Sequence, residues 1–169
     1  MTTAIITGAS VGIGLETAKG LARKGFDLIL VSRNIEKLDQ VCSSIINKGG
    51  SAVQIQTDIT DQKQCQQMVD KAIQTYNKID GLILNAGISM WAKFDEIKDV
   101  QFFQTIMNTN YLGSVFCVHA ALPYLKKTRG MIISCSTGQA IMGFPNHSGY
   151  VASKHALHGF LSTIRMENK

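Results

Sequence analysis

Short apolar, β-branched runs alternate with longer segments of helical periodicity along the whole chain. Ala4–Thr7, Asp27–Val31, Ala52–Gln56, Gly81–Leu84 and Met131–Ser134 are nearly continuous in hydrophobicity. That pattern predicts strands covered on both faces of a parallel sheet, rather than the alternation of a half-wet one. Between them, helical periodicity predicts Gly12–Lys24, Ile35–Lys48, Asp61–Asn77 and a long helix from about Asp99 to Lys126. A last helix starts near Tyr150. Asn34 and Asp61 stand where N-caps are needed, and Gly25 and Gly49-Gly50 where helix ends turn left-handed. Strand and helix repeated in this order predict a doubly wound α/β fold with right-handed crossovers and helices on both faces. No linker or low-complexity stretch interrupts it, so residues 1–169 are expected to form a single domain.

Composition narrows the class. Hydrophobic residues at 45% and charged ones at 17% suit a globular protein, and no apolar run approaches the roughly 20 residues of a spanning helix. Met1-Thr2-Thr3-Ala4-Ile5 lacks the basic and apolar regions of a leader, which points to a cytoplasmic protein. The net charge of +5 is scattered apart from Lys126-Lys127-Thr128-Arg129, with no basic stripe carrying aromatics, so no nucleic-acid partner is expected. Cys42, Cys65, Cys117 and Cys135 contain no Cys-x-x-Cys pair and no regular framework, and His155 and His158 lack a third or fourth nearby ligand, so no metal is expected.

The chemistry begins directly after the first strand, at Thr7-Gly8-Ala9-Ser10-Val11-Gly12-Ile13-Gly14. Glycines there let the backbone turn tightly, and the free N–H groups of the following helix favour phosphate. Gly8, Ser10, Gly12, Ile13 and Gly14 are thus candidate contacts to a dinucleotide. The second strand ends in Val31-Ser32-Arg33-Asn34 with no carboxylate for a ribose 2′-OH. Arg33 suits a 2′-phosphate instead, which favours NADP(H) over NAD(H). Near the other end, Tyr150 and Lys154 are four apart on a helix and share a face. A nearby ammonium favours the phenolate of a tyrosine, whose ordinary pKa is about 10, and fits it for acid–base work.

Taken with Asn85-Ala86-Gly87, Asp58-Ile59 and Asn110, these motifs resemble the short-chain dehydrogenase/reductase family over essentially the whole chain. The resemblance implies a Rossmann-type fold and hydride transfer between a nicotinamide and a carbonyl or alcohol substrate. Tyr150 would be the acid or base and Lys154 its partner on the nicotinamide ribose. Asn85, Ala86 and Gly87 would support the cofactor, Asp58 and Ile59 would meet the adenine, and Asn110 would hold a water of the proton relay. The family's substrate-orienting serine stands thirteen residues before the tyrosine, where this chain has Thr137, with Ser136 beside it. Either hydroxyl can serve, Thr137 by the ungapped count.

Family members also continue into a sixth strand, a substrate-covering loop and a seventh strand. By that resemblance the C-terminal strands are missing from residues 1–169: the chain is incomplete, or completed by a partner, or degenerate. A homo-oligomer, dimer or tetramer, is implied as well. Ile88, Met90, Trp91, Ile141, Met142 and Phe144 are candidate walls of an apolar substrate pocket. The alternative to an enzyme is a non-catalytic dinucleotide-binding or interaction module.

Overall fold

The computed structural model describes residues 1–168. The chain forms two compact units. The first comprises Met1–Ala86 with Phe116–Cys135, and the second comprises Gly87–Val115 with the chain from Ser136 onward.

The first unit contains the sheet. Its strands are β1 (Thr3–Thr7), β2 (Asp27–Ser32), β3 (Ser51–Gln56), β4 (Gly81–Leu84) and β5 (Met131–Ser134). All neighbours pair in parallel, in the order β3-β2-β1-β4-β5. The chain therefore builds outward from β1 to β3, crosses back, and continues from β4. The ends of β1 and β4 lie side by side at that reversal, where open α/β sheets bind their ligands.

Helices α1 (Gly12–Ala22), α2 (Ile35–Ile46) and α3 (Gln62–Tyr76) connect the first four strands. Ala4 and Ile6 of β1 and Leu28 and Leu30 of β2 pack with Ala18 of α1 and with Leu38, Val41, Cys42 and Ile45 of α2. The intervening residues Ile5, Ile29 and Val31 are fully buried too, as side chains that alternate between two covered faces must be. The expectation of double cover holds for these central strands. It fails at the sheet edge, where β5 leaves Met131 and Ile133 exposed.

The caps follow the sequence. Asn34 accepts from the Lys37 amide at 2.8 Å, and Asp61 accepts from the Lys63 and Gln64 amides at 2.8 and 3.2 Å. Gly25 and Gly49 adopt φ of +78° and +79° after α1 and α2, while Gly50 packs against Ile45 instead. Helix α3 ends differently, on a left-handed Asn77 at φ +59°.

The long helix predicted from about Asp99 to Lys126 is helical throughout from Gln101 to Thr128, with right-handed helical backbone at both internal junctions, and it comprises three segments. They are α4 (Gln101–Met107), a π-helical segment Asn108–Leu112, and α5 (Gly113–Thr128). From Phe116 onward α5 belongs to the first unit. The second unit holds α4, the π-helical segment and α6 (Ser148–Glu167). Helix α6 starts two residues before Tyr150, because the Val151 amide already bonds the His147 carbonyl at 2.8 Å.

Candidate functional site

In the first unit, Thr7 ties the two strand ends together. Its hydroxyl donates to the Ile83 carbonyl at 3.2 Å and accepts from the Asn85 and Ala86 amides at 3.0 and 3.1 Å. The one donor and both lone pairs of the hydroxyl are thereby used. Asn85 answers with its side-chain amide, which donates to the carbonyls of Thr7 and Gly8 at 3.1 and 3.2 Å. Asn85 and Ala86 are thus built into the floor of the glycine turn.

The glycines have separate reasons. Gly8 has φ +67°, and a Cβ there would stand 2.9 Å from both the Ala86 Cα and the Asn85 Nδ2. Gly12 has φ +56° with open space around it, so its need is conformational. A Cβ on Gly14 would collide with the carbonyl oxygen of Gly8 and stand 2.5 Å from the Asn85 Nδ2. The first turn of α1 therefore lies directly on the loop that precedes it.

That turn is left open to an anion. Val11, the N-cap of α1, makes no side-chain cap, and the first turn holds no acidic residue. The leading amides of a helix have no partner within it, and the helix dipole adds positive potential there. Val11 and Ile13 are exposed, while Ala9 is buried and its amide donates to the Val31 carbonyl at 3.1 Å. Ser10 and Ser32 share a hydroxyl hydrogen bond of 2.9 Å, which brings the end of β2 to the turn. Arg33 follows, exposed, and takes part in none of the ion pairs among the described residues. These groups fit a dinucleotide pyrophosphate, with a cation beyond it.

The Asp58 loop is held by the start of α3. The Asp58 amide donates to Gln64 Oε1 at 2.8 Å, and its carboxylate accepts from the amide and hydroxyl of Thr60 at 2.9 and 2.8 Å. The Ile59 side chain is buried, which leaves its backbone as the part able to meet a ligand.

In the second unit, Tyr150 and Lys154 stand together on α6 as their spacing predicts. Lys154 is 7% exposed, and its Nζ lies 5.6 Å from the centre of the half-buried Tyr150 ring. Asn110, in the π-helical segment, is 1% exposed. Its Oδ1 accepts from the Ile88 amide at 2.8 Å, and its Nδ2 donates to the Ile88 carbonyl and to Ser153 Oγ, each at 2.9 Å. Gly87 lies against this amide, since a Cβ there would be 3.1 Å from Asn110 Oδ1. Both side-chain protons of Asn110 are committed to protein atoms, so its side chain acts as a clamp. Ser153 in turn donates to the Tyr150 carbonyl at 2.7 Å. Thr137 caps the short 3₁₀ turn Gly138–Ala140 through the Gln139 amide at 3.4 Å, and Ser136 is exposed.

Three residues absent from the sequence reading of the catalytic site help set the start of α6. Ser153 links it to Asn110, as just described. Met90 is buried, and its sulfur accepts from the Gly149 amide at 3.1 Å. His147 is 7% exposed and bonds the Pro145 carbonyl through Nδ1 at 2.9 Å, so Nδ1 carries a proton. Its ring meets Trp91, Phe144 and Tyr150 edge-on, at centroid distances of 4.7, 5.3 and 6.2 Å. Ser153 carried a sequence signal, because it lies three residues after Tyr150 on one helix. Met90, expected from the sequence as a wall of the apolar pocket, is instead buried against Gly149, and His147 carried no signal that separates it from ordinary packing. Among the candidate pocket residues, Trp91, Ile141, Met142 and Phe144 are exposed.

A five-stranded parallel sheet with a glycine turn and an open helix start at its reversal defines a Rossmann-type nucleotide-binding α/β protein. The chain belongs to the short-chain dehydrogenase family, whose description, short chain dehydrogenase, matches residues 2–169. It is 35% identical over 164 residues to 11-beta-hydroxysteroid dehydrogenase-like 3 of Arabidopsis thaliana, covering 96% of this chain and 53% of that protein. A Dictyostelium discoideum protein, dehydrogenase/reductase SDR family protein 7-like, is 35% identical over 98% of this chain and 54% of its own length. The chain spans about half the length of the curated relatives it matches. Among solved structures, an alcohol dehydrogenase from the archaeon Thermococcus sibiricus, complexed with 5-hydroxy-NADP, aligns with a TM-score of 0.96. That match is 27% identical and covers 99% of this chain and 72% of the other. No helix among the described residues is long and apolar enough to cross a membrane.

Proposed function

We propose that this chain carries the cofactor-binding and proton-transferring parts of an NADP(H)-dependent oxidoreductase acting on carbonyl or alcohol groups. The observation that carries this reading is Lys154, an almost fully buried ammonium one helical turn from Tyr150. A buried lysine needs compensation, and such groups concentrate where chemistry is done.

The α1 amides and the Gly8–Gly14 turn hold the pyrophosphate, and Arg33 pairs with the 2′-phosphate. Asp58 and the Ile59 backbone bound the adenine end, and Asn85 to Gly87 support the nicotinamide end. The bound nicotinamide supplies or accepts the hydride. Tyr150 gives its hydroxyl proton to the carbonyl oxygen in reduction and takes it back in oxidation. Lys154 stabilises the phenolate and bonds the ribose. Thr137, or Ser136 beside it, orients the substrate oxygen, as a preorganised donor does. Asn110 holds the segment after β4 and, through Ser153, the carbonyl of Tyr150.

The substrate in this reading is a bulky apolar ketone or alcohol. Support comes from exposed Trp91, Ile141, Met142 and Phe144, and from relatives named as hydroxysteroid dehydrogenases.

The test is a thermal-shift titration of the chain with NADPH and NADH, followed by turnover assays on cyclic ketones and hydroxysteroids. Ligand at a hundred times its Kd stabilises a fold by about 2.7 kcal/mol, a shift of several degrees. NADPH should give the larger shift, Arg33→Ala should remove at least about tenfold of preference (~1.4 kcal/mol), and NADH binding should be unchanged. Tyr150→Phe should keep the NADPH shift and lose turnover. Binding without turnover in the unsubstituted chain would favour the non-catalytic module, and no shift with either nucleotide would refute the assigned site.

A further inference from the structure

Within the first unit, Cys65 of α3 and Cys117 of α5 meet in the core, their sulfurs 3.8 Å apart and both side chains fully buried. Fifty-two residues separate them in sequence, so the pair is a product of the fold. The Cys65 thiol also reaches the Ile59 carbonyl at 3.4 Å. A carbonyl only accepts, so Cys65 donates there and Cys117 donates to Cys65. This chain of bonds runs from α5 through α3 into the Asp58–Thr60 loop. The same loop takes a bond from its Asp58 amide to Gln64, the residue next to Cys65. Closing the sulfur separation to a bond of about 2.05 Å requires an approach of about 1.8 Å.

We propose that Cys65 and Cys117 are an oxidisable pair that closes to a disulfide with a hydroperoxide and thereby loosens the Asp58–Thr60 loop. The Cys65 thiolate attacks a peroxide oxygen, the O–O bond breaks, and the departing oxygen leaves as water, giving a sulfenic acid. The Cys117 sulfur then attacks the Cys65 sulfur, and the hydroxyl leaves as a second water. Two thiols and one hydrogen peroxide give one disulfide and two waters, with two electrons passing from sulfur to oxygen. The order of attack follows from the shared bond. The Cys117 S–H pointing at Cys65 lowers the Cys65 pKa despite burial, while the same bond, with burial, pushes Cys117 up. Once oxidised, Cys65 has no proton for Ile59, whose carbonyl loses that donor. A loss of nucleotide affinity on oxidation would rest on the proposed assignment of Asp58 and Ile59 to the adenine end; the disulfide and the loop release do not.

Burial makes the reaction depend on local opening, so the folded chain should be exposed to hydrogen peroxide for hours and then mapped by mass spectrometry. The expected product is a Cys65–Cys117 linked peptide, two hydrogen atoms lighter than its parts and reversed by dithiothreitol. Amide hydrogen exchange over Thr57–Gln64 should quicken severalfold in the oxidised chain. Cys65→Ser keeps a hydroxyl donor for Ile59 and should show neither change. Cys117→Ser should also prevent the link, and Cys42, which donates to the Ala52 carbonyl, should stay reduced. Absence of the link, a link to Cys42 or Cys135 instead, or a link with unchanged exchange would each overturn the proposal. A chain that forms the link and quickens its loop, yet never responds to NADPH even when reduced, leaves this inference standing and refutes the nucleotide reading alone.

Discussion

Helices α1 and α3 each follow a strand of the same sheet, yet they begin in opposite ways. At α3 the Asp61 carboxylate takes the Lys63 and Gln64 amides, and Gln64 returns a side-chain bond to Asp61 at 3.2 Å. The leading amides are satisfied by the chain's own anion. At α1 the N-cap is Val11, whose backbone is extended as a cap should be but whose side chain offers no acceptor. No acid stands in the first turn, and three glycines bring the preceding loop up against it. A helix start that has been stripped of its own cap costs stability unless another group completes it. The difference teaches which helix start the chain completes for itself and which it leaves open to another group.

The hardest blow to this comparison is Gly14→Ala. The new methyl would collide with the Gly8 carbonyl, and neither backbone nor the Asn85 amide can move away without opening the turn. Overpacking of this kind costs about 1–3 kcal/mol. Chemical denaturation should show that loss, and the NADPH-induced thermal shift should vanish with it. Unchanged stability together with an intact shift would mean that the turn is not the close-packed cradle described.

A milder change sharpens the contrast by making α1 resemble α3. Val11→Asp would place a carboxylate where the extended backbone lets it accept from the leading amides. A new cap is worth about 0.5–2 kcal/mol, so the nucleotide-free chain should become more stable. The same carboxylate would compete with and repel phosphate, so NADPH affinity should fall at least about tenfold, or ~1.4 kcal/mol. Calorimetric titration and thermal denaturation measure the two effects separately. A gain in stability with no loss of affinity would show that phosphate does not use those amides.

Both helix starts were legible in sequence because their causes are local. Asn34 and Asp61 cap amides two or three residues away, and the glycine turn follows its strand directly. The pairing of Tyr150 with Lys154 was legible for the same reason, one helical turn. What escaped depends on contacts between distant residues. The π-helical segment coincides with Asn110 reaching Ile88, 22 residues away, and Ser153, 43 away. Helical periodicity runs smoothly through Asn108–Leu112 and gives no sign of it. Met90 reads as an apolar loop residue until its sulfur is seen to accept from Gly149, 59 residues on. The exposed Met131 and Ile133 escaped because β5 is as apolar as the central strands, and hydrophobicity does not say which strand lies at an edge.

The smallest effect belongs to the cap itself. The Gln64 amide, then the Gln64 side chain, and with them the Lys63 amide hold the Asp61 pKa below its ordinary 3.8. A carboxyl whose folded value is depressed contributes stability above its unfolded value and loses it as the pH falls through the folded one. The contribution should therefore be complete at neutral pH and fade as the pH falls below about 4. Asp61→Asn keeps an acceptor for the Lys63 amide but has no proton to gain, whereas Asp61→Ala loses the cap at every pH. At neutral pH, Asp61→Ala should lower the Tm by a few degrees and Asp61→Asn by less. The gap between the parent chain and Asp61→Asn should shrink on acidification. Neither change should alter the NADPH-induced shift, because the amides of α3 are already spent on their own chain. If Asp61→Ala reduced that shift as strongly as Val11→Asp does, α3 would have to be counted among the phosphate-facing helices, and the contrast between the two starts would fall.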